Sequence, residues 1–218
     1  MAELRTEEEQ IQAIKDWWKK NGSSLLIGIG AALAIVFGWQ AWQNSQAQQR
    51  TEAANQFANL LNAFSNQAEE TSGETVAFVA KTLREDYTDS AYAIYGNLIL
   101  ARQQLMESDD PVAAIESLQW ALDKTGDQQA LKLVVRNRLA RAQFAAGQYD
   151  DALATIEAAG NADAFDAILT ELRGDILLAQ GDRDGAREAY LAAREQSQQG
   201  RSGILELKLS DLGVGEDA

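Results

Sequence analysis

Cysteine and histidine are both absent from the 218 residues, and proline occurs once, at Pro111. Without them the chain lacks thiol nucleophiles, His-based acid–base groups and the usual zinc and haem ligands. The lack of cysteine is neutral on compartment, since an oxidising space permits disulfides without requiring them. No Walker loop, serine elbow or nucleotide fingerprint is present. The acidic pairs Asp109-Asp110 and Asp150-Asp151 sit in turns that open helices, where Asp is favoured as a cap and dipole partner rather than as an acid–base couple. No catalytic residue, cofactor site or metal site is expected, and the chain reads as a binding protein rather than an enzyme.

Positive charge is also scarce. From residue 43 onward the chain carries 15 Lys/Arg against 28 Asp/Glu, a net charge of −13. Such a tail repels phosphate backbones, so nucleic acid is excluded as its partner.

What the sequence has in abundance is one apolar run, Leu25 to Trp39, extended past Gln40 by Ala41-Trp42. Eighteen residues at about 1.5 Å rise give roughly 27 Å of helix, close to the ~30 Å of bilayer hydrocarbon. Residues 23–42 therefore read as one transmembrane helix. Lys15, Lys19 and Lys20 precede it and Arg50 is the only early cation after it, which places the N-terminus in the cytoplasm and the acidic tail in a bacterial periplasm. Trp17-Trp18 and Trp39/Trp42 suit the two interfacial belts. The competing reading is a signal peptide cleaved after Ser45-Gln-Ala47. The apolar core is longer than a signal core and more than twenty residues precede it, which favours an uncleaved anchor. Gly30, Ala34 and Gly38 recur every four residues on one face, a candidate membrane-helix contact, although Gly and Ala are common in such helices anyway.

Residues 1–22 form a head. Thr6 to Glu9 is a capping-box pattern, Ile11, Ile14 and Trp18 share a face, and Asn21-Gly22 is expected to end the helix. Residues 43–90 read as a helical connector and a degenerate first helix pair. Phe57, Leu60, Leu61, Phe64 and Ala68 form one stripe, Thr71-Ser-Gly73 a break, and Val76, Val79, Leu83 and Tyr87 a second stripe.

Residues 91–218 then repeat. Helices are expected over 92–106 and 112–122, 131–146 and 150–159, 164–179 and 184–197, with Asp110 as a cap, Pro111 at the first helical position and turns at Gly147 and Gly181. Gly147 to Gly181 and Ala152 to Ala186 are both 34 residues apart, while Ala114 precedes Ala152 by 38. A 34-residue helix–turn–helix period is that of tetratricopeptide repeats, whose small residues let paired helices approach. Ile204, Leu205, Leu209 and Leu212 are expected on one face of a capping helix. The fold class is all-α: one N-terminal transmembrane helix followed by a tetratricopeptide-like stack of helical hairpins.

The order of parts resembles a known family. Trp17-Trp18-Lys-Lys-Asn-Gly22, the span ending Gly38-Trp39-Gln-Ala-Trp42, Arg138-Leu-Ala-Arg141, Glu171-Leu-Arg-Gly174-Asp and Leu207-Lys-Leu-Ser-Asp-Leu212 together are similar to the ancillary SecYEG translocon subunits of Gram-negative inner membranes. The resemblance runs nearly end to end. It implies a non-catalytic partner of the SecYEG export channel, working near emerging secretory or outer-membrane clients beside a membrane-anchored prolyl-isomerase-like periplasmic chaperone, with a link to envelope-stress signalling. A membrane-tethered scaffold for envelope assembly or division is the alternative.

Aligned repeats place Arg102, Arg141 and Asp175 at equivalent positions on the first helix of each pair. Tyr95, Leu98, Asn137, Arg138, Phe144, Glu171 and Leu178 fall around them. Arginine to pair carboxylates or carbonyls and aromatics to bury suit an extended peptide or a partner's segment. The alternative is that these arginines are solvated or pair with acidic neighbours.

Overall fold

All regular structure among the described residues of the computed structural model, 7–66, 72–162, 165–197 and 203–214, is helical. The helices are α1 (Glu7–Ser65), α2 (Ser72–Asp86), α3 (Ala91–Met106), α4 (Pro111–Lys124), α5 (Gln129–Ala145), α6 (Tyr149–Glu157), α7 (Asp166–Ala179), α8 (Arg183–Gln196) and α9 (Gly203–Asp211). The chain divides into two compact units at Glu52/Ala53, within α1. The expected roles of Thr6, Ala68, Thr71 and Ala164 lie outside the described residues.

In the first unit, every residue from 23 to 42 is exposed. A core helix of a soluble domain would bury such side chains. This is the one described helix long and apolar enough to cross a membrane. Trp39 and Trp42 pair where the apolar run ends, their ring centroids 5.0 Å apart.

The expected break at Asn21-Gly22 does not occur, because α1 runs through it. Asn21 Nδ2 donates to the Trp17 carbonyl one turn back, at 3.0 Å. Gly22 is buried under the Trp18 indole, which a Cβ would meet at 3.2 Å. The glycine here makes room for a ring instead of ending a helix. The later break also shifts, since α2 already includes Ser72 and Gly73.

The second unit is a stack. Ala53 and Leu60 of α1 join Val76, Val79, Ala80 and Leu83 of α2 and Ala93 of α3 in one core cluster. The next cluster joins α3, α4 and α5 through Leu98, Ala101, Ala114, Leu118, Val135 and Leu139. A third joins Ala140 and Ala152 to Leu172 and Ile176 of α7. The last sets Ala186, Tyr190 and Ala193 of α8 against Leu205 and Leu209 of α9. Each cluster spans consecutive helices, which is how units too small to bury a core alone become stable. Ala114, Ala152 and Ala186 are all fully buried, as expected of small residues that let paired helices approach. On α9 the outcome is mixed: Leu205 and Leu209 face the core, whereas Ile204 stands 64% exposed. Ile204 precedes Leu205 directly, and adjacent helical positions lie about 100° apart, so both cannot face α8.

The turns follow their residues. Gly147 and Gly181 adopt φ of +73° and +89°, and the next amides, Gln148 and Asp182, donate to the Gln143 and Leu177 carbonyls at 2.9 Å. This is the Schellman closure, in which a left-handed residue lets the chain fold back on the helix end. In the first full repeat Asp109 takes that role at φ +48°. The cap that follows is Asp110, accepting from the Ala113 amide at 2.9 Å, with Pro111 opening α4. Asp182 caps α8 in the same way through Gly185.

Two polar pairs lock first to second helices. Ser117 Oγ donates to Gln104 Oε1 at 2.9 Å, and Thr155 Oγ1 to Gln143 Oε1 at 2.7 Å. In the third repeat Leu177 and Ala189 hold the matching positions.

Candidate partner-binding groove

The ten candidate residues separate into an open basic part and a closed acidic part. Leu98, Arg102, Arg138 and Arg141 come together around one groove of about 510 Å³, completed by Ala101, Leu105, Met106, Leu118 and Ala145. Leu98 and Leu118 are buried and form an apolar floor, while the arginines stand at the rim, exposed. Arg102 lies over the Phe64 ring, 5.3 Å from its centroid, a cation–π contact that fixes where the guanidinium points. Arg138 Nη1 donates to the Leu98 carbonyl at 3.3 Å, tying α5 to α3. Desolvation, and after it the neighbouring Arg102 cation, lowers the Arg138 guanidinium from its ordinary value. Arg141 Nε donates to Asn137 Oδ1 at 3.3 Å.

The aromatic candidates serve packing. Tyr95 leans on Phe57, centroids 6.1 Å apart, and Phe144 packs beside Tyr149 at 5.9 Å.

Glu171, Asp175 and Leu178 do not line the open groove. Lys208 of α9 donates to Glu171 Oε1 at 2.7 Å and to Asp175 Oδ2 at 2.9 Å. The Tyr190 hydroxyl donates to Asp175 Oδ1 at 2.7 Å, and Leu178 packs against the α8–α9 cluster. Burial pulls the Lys208 ammonium down, but its hydrogen bonds to Asp175 and Glu171 and their charges outweigh this and raise it. Burial first, then the bond to Asp175, raises the Tyr190 phenol as well. The acids expected to face a partner are thus occupied by the chain's own last helix. Lys208 was not among the expected residues. Its signal lay in the sequence as a cation between the buried Leu205 and Leu209, but its target is two helices away. The floor residues Ala101 and Leu105 were readable, since they lie three and seven positions from Leu98 on the same helical stripe.

Paired helices of fixed period, glycine-closed turns and a groove along the first helices define a tetratricopeptide-like repeat protein, here preceded by an apolar helix. A family model described as a tetratricopeptide repeat-like domain matches residues 15–214. The Ancillary SecYEG translocon subunit of Haemophilus influenzae is 31% identical over 212 residues, covering 97% of this chain and 100% of the relative. The proteins of the same name from Escherichia coli (strain K12) and Neisseria gonorrhoeae are each 29% identical, over 95% and 97% of this chain and 97% and 100% of the relatives. The chain belongs to the family of ancillary SecYEG translocon subunits.

Proposed function

We propose that the chain is a non-catalytic accessory subunit of the SecYEG protein-export channel, held in the inner membrane by residues 23–42. Residues 1–22 face the cytoplasm and the repeats the periplasm. The observation that carries this reading is the end-to-end relationship to subunits so named. The exposed apolar surface of α1 supports the anchor, and the lysines before it support the orientation. The repeat stack then recruits a membrane-anchored, prolyl-isomerase-like periplasmic chaperone to emerging clients through the groove on α3 and α5, and the same contacts feed envelope-stress regulation. Gly30, Ala34 and Gly38 offer the span a face for another helix. Asp110 and Asp182 are engaged as helix caps, which supports structural work for the turn carboxylates.

Photocrosslinking of the full chain in intact membranes tests the role. Adducts to channel subunits are expected from the span and the repeat domain. Adducts confined to envelope-assembly proteins would overturn the channel role, and adducts made only by residues 1–22 would overturn the role of the repeats.

A further inference from the structure

The third repeat shows how this fold binds a charge. At the positions matching Leu98/Asn137 and Arg102/Arg141 it carries Glu171 and Asp175, and a separate helix supplies Lys208 to both. The cation arrives on an apolar support, with Leu205 and Leu209 on either side buried against α8. At the position of Asp175 the first two repeats present the opposite charge, Arg102 and Arg141, while at that of Glu171 they carry the uncharged Leu98 and Asn137. Arg102 has Phe64, Arg138 has a backbone carbonyl and Arg141 has an amide oxygen. Among the described residues no carboxylate forms an ion pair with any of the three, although acids outnumber bases by 13 from residue 43 onward. Three like charges around one groove repel one another, and an unpaired, partly desolvated guanidinium is costly unless an anion completes it.

We propose that this groove takes a partner-protein segment bearing a carboxylate among apolar side chains. The carboxylate accepts from Arg102, Arg138 and Arg141, and the apolar neighbours cover the floor of Leu98, Leu105 and Leu118. The cavity of about 510 Å³ falls within the roughly 300–1,000 Å³ range of ligand pockets. A single carboxylate is favoured over a polyanion because the excess acid of the domain repels a charged polymer or surface. Over less than the ~8 Å screening length the arginines dominate. This assignment rests on the partner-binding reading of the groove and names the chemistry of the partner.

The test uses the full chain in neutral detergent micelles and fluorescence anisotropy with four labelled leucine-rich octapeptides. They carry two glutamates or two glutamines, each with an amidated or a free C-terminus. The amidated glutamate peptide is expected to bind about tenfold tighter than its glutamine counterpart, the factor a charge-assisted hydrogen-bond pair supplies. The same gain from the free C-terminus on the glutamine background would support a terminal carboxylate as the natural source. Arg102→Gln with Arg141→Gln, both exposed, should abolish the preference without lowering the melting midpoint, and Arg102→Lys with Arg141→Lys should retain part of it. Equal binding of all four peptides would overturn the proposal. Self-association in sedimentation experiments that the double glutamine variant abolishes would make the occupant a second copy and overturn it too. Retained channel crosslinks without peptide preference would sink the carboxylate assignment alone. Peptide preference without channel crosslinks would leave it standing and sink the channel role.

Discussion

Gly174 leaves no room for a side chain beside the Tyr190 ring, and replacing it with alanine gives a result whose sign can be argued beforehand. A Cβ there would lie 2.4 Å from Tyr190 Cε1 and 2.5 Å from Cδ1. Helix propensity alone favours alanine by about 1 kcal/mol. Against this, Tyr190 is 1% exposed and pinned at its far end by Asp175 at 2.7 Å, so the ring cannot turn aside. Forcing a methyl against it costs about 1–3 kcal/mol. Displacing the hydroxyl from a charged acceptor costs a further ~1.5–3 kcal/mol. The net expectation for Gly174→Ala is a loss of about 2 kcal/mol or somewhat more. For a domain of this size about 2–4 °C accompanies each kcal/mol, so the melting midpoint of the full chain in micelles, followed by far-ultraviolet circular dichroism, should fall by roughly 4–8 °C. The same substitution in a Tyr190→Leu background meets no ring and should raise the midpoint, a reversal that a double-mutant cycle isolates. A midpoint that rises with Tyr190 in place, or an equal loss in both backgrounds, would refute the steric reasoning.

Two further outcomes follow from the caps and from the C-terminal cluster. Asp110→Ala removes the Ala113 cap bond and should cost about 1 kcal/mol in denaturant titration. Asp150→Ala, in a helix whose N-terminus has no side-chain cap bond, should cost a few tenths, about what a dipole contact supplies. In alkali, Tyr190 and Lys208 have ordinary values of 10.0 and 10.5 and both are raised in the fold. Below about pH 10 both states hold the protons and stability is flat. Above it the unfolded chain releases them first, so stability falls by up to about 1.4 kcal/mol per pH unit for each group until the folded values are passed. Melting midpoints measured from about pH 8 to pH 11 should bend downward near pH 10, with a shallower bend in Tyr190→Phe and in Lys208→Met. A bend of the same steepness in those variants would remove the cluster as its cause.

Periodicity made the repeat stack legible. The 34-residue offsets of glycine and alanine encode turn and closest approach, and both are local demands of backbone and packing. Asp110 and Pro111 were readable for the same reason, since a cap acts within one turn. What the sequence concealed depends on partners brought in from elsewhere. Asn21-Gly22 carries a stop signal, yet the Trp18 ring fills the space above Gly22 and the helix continues. Glu171 and Asp175 look like groove acids until α9 delivers Lys208 to them, a meeting that needs the whole third repeat to be folded. Arg102 and Arg141 were placed together by alignment, with Arg138 and Leu98 beside them. That Arg138 donates to the Leu98 carbonyl depends on how α5 lies on α3, which spacing does not give.

The two glutamine–hydroxyl pairs have a consequence for how the chain reaches this structure. In a protein built of similar hairpins, the most dangerous competitor of each helix is its own counterpart one repeat away, and such misassembly is a characteristic failure of repeat proteins. Gln104 matched with Ala189, or Ser117 with Leu177, would bury a polar group against an aliphatic surface at about 1–3 kcal/mol. The first two hairpins therefore carry a key that the third lacks. Exchanging helices between the third hairpin and either of the others is penalised during folding, whereas an exchange between the first two would go unpunished. Loop length supplies what chemistry omits there: the first hairpin's turn is one residue longer, 13 residues separating Gln104 from Ser117 and 12 separating Gln143 from Thr155. Proofreading of the fold is thus divided between a hydrogen bond and a single residue of slack.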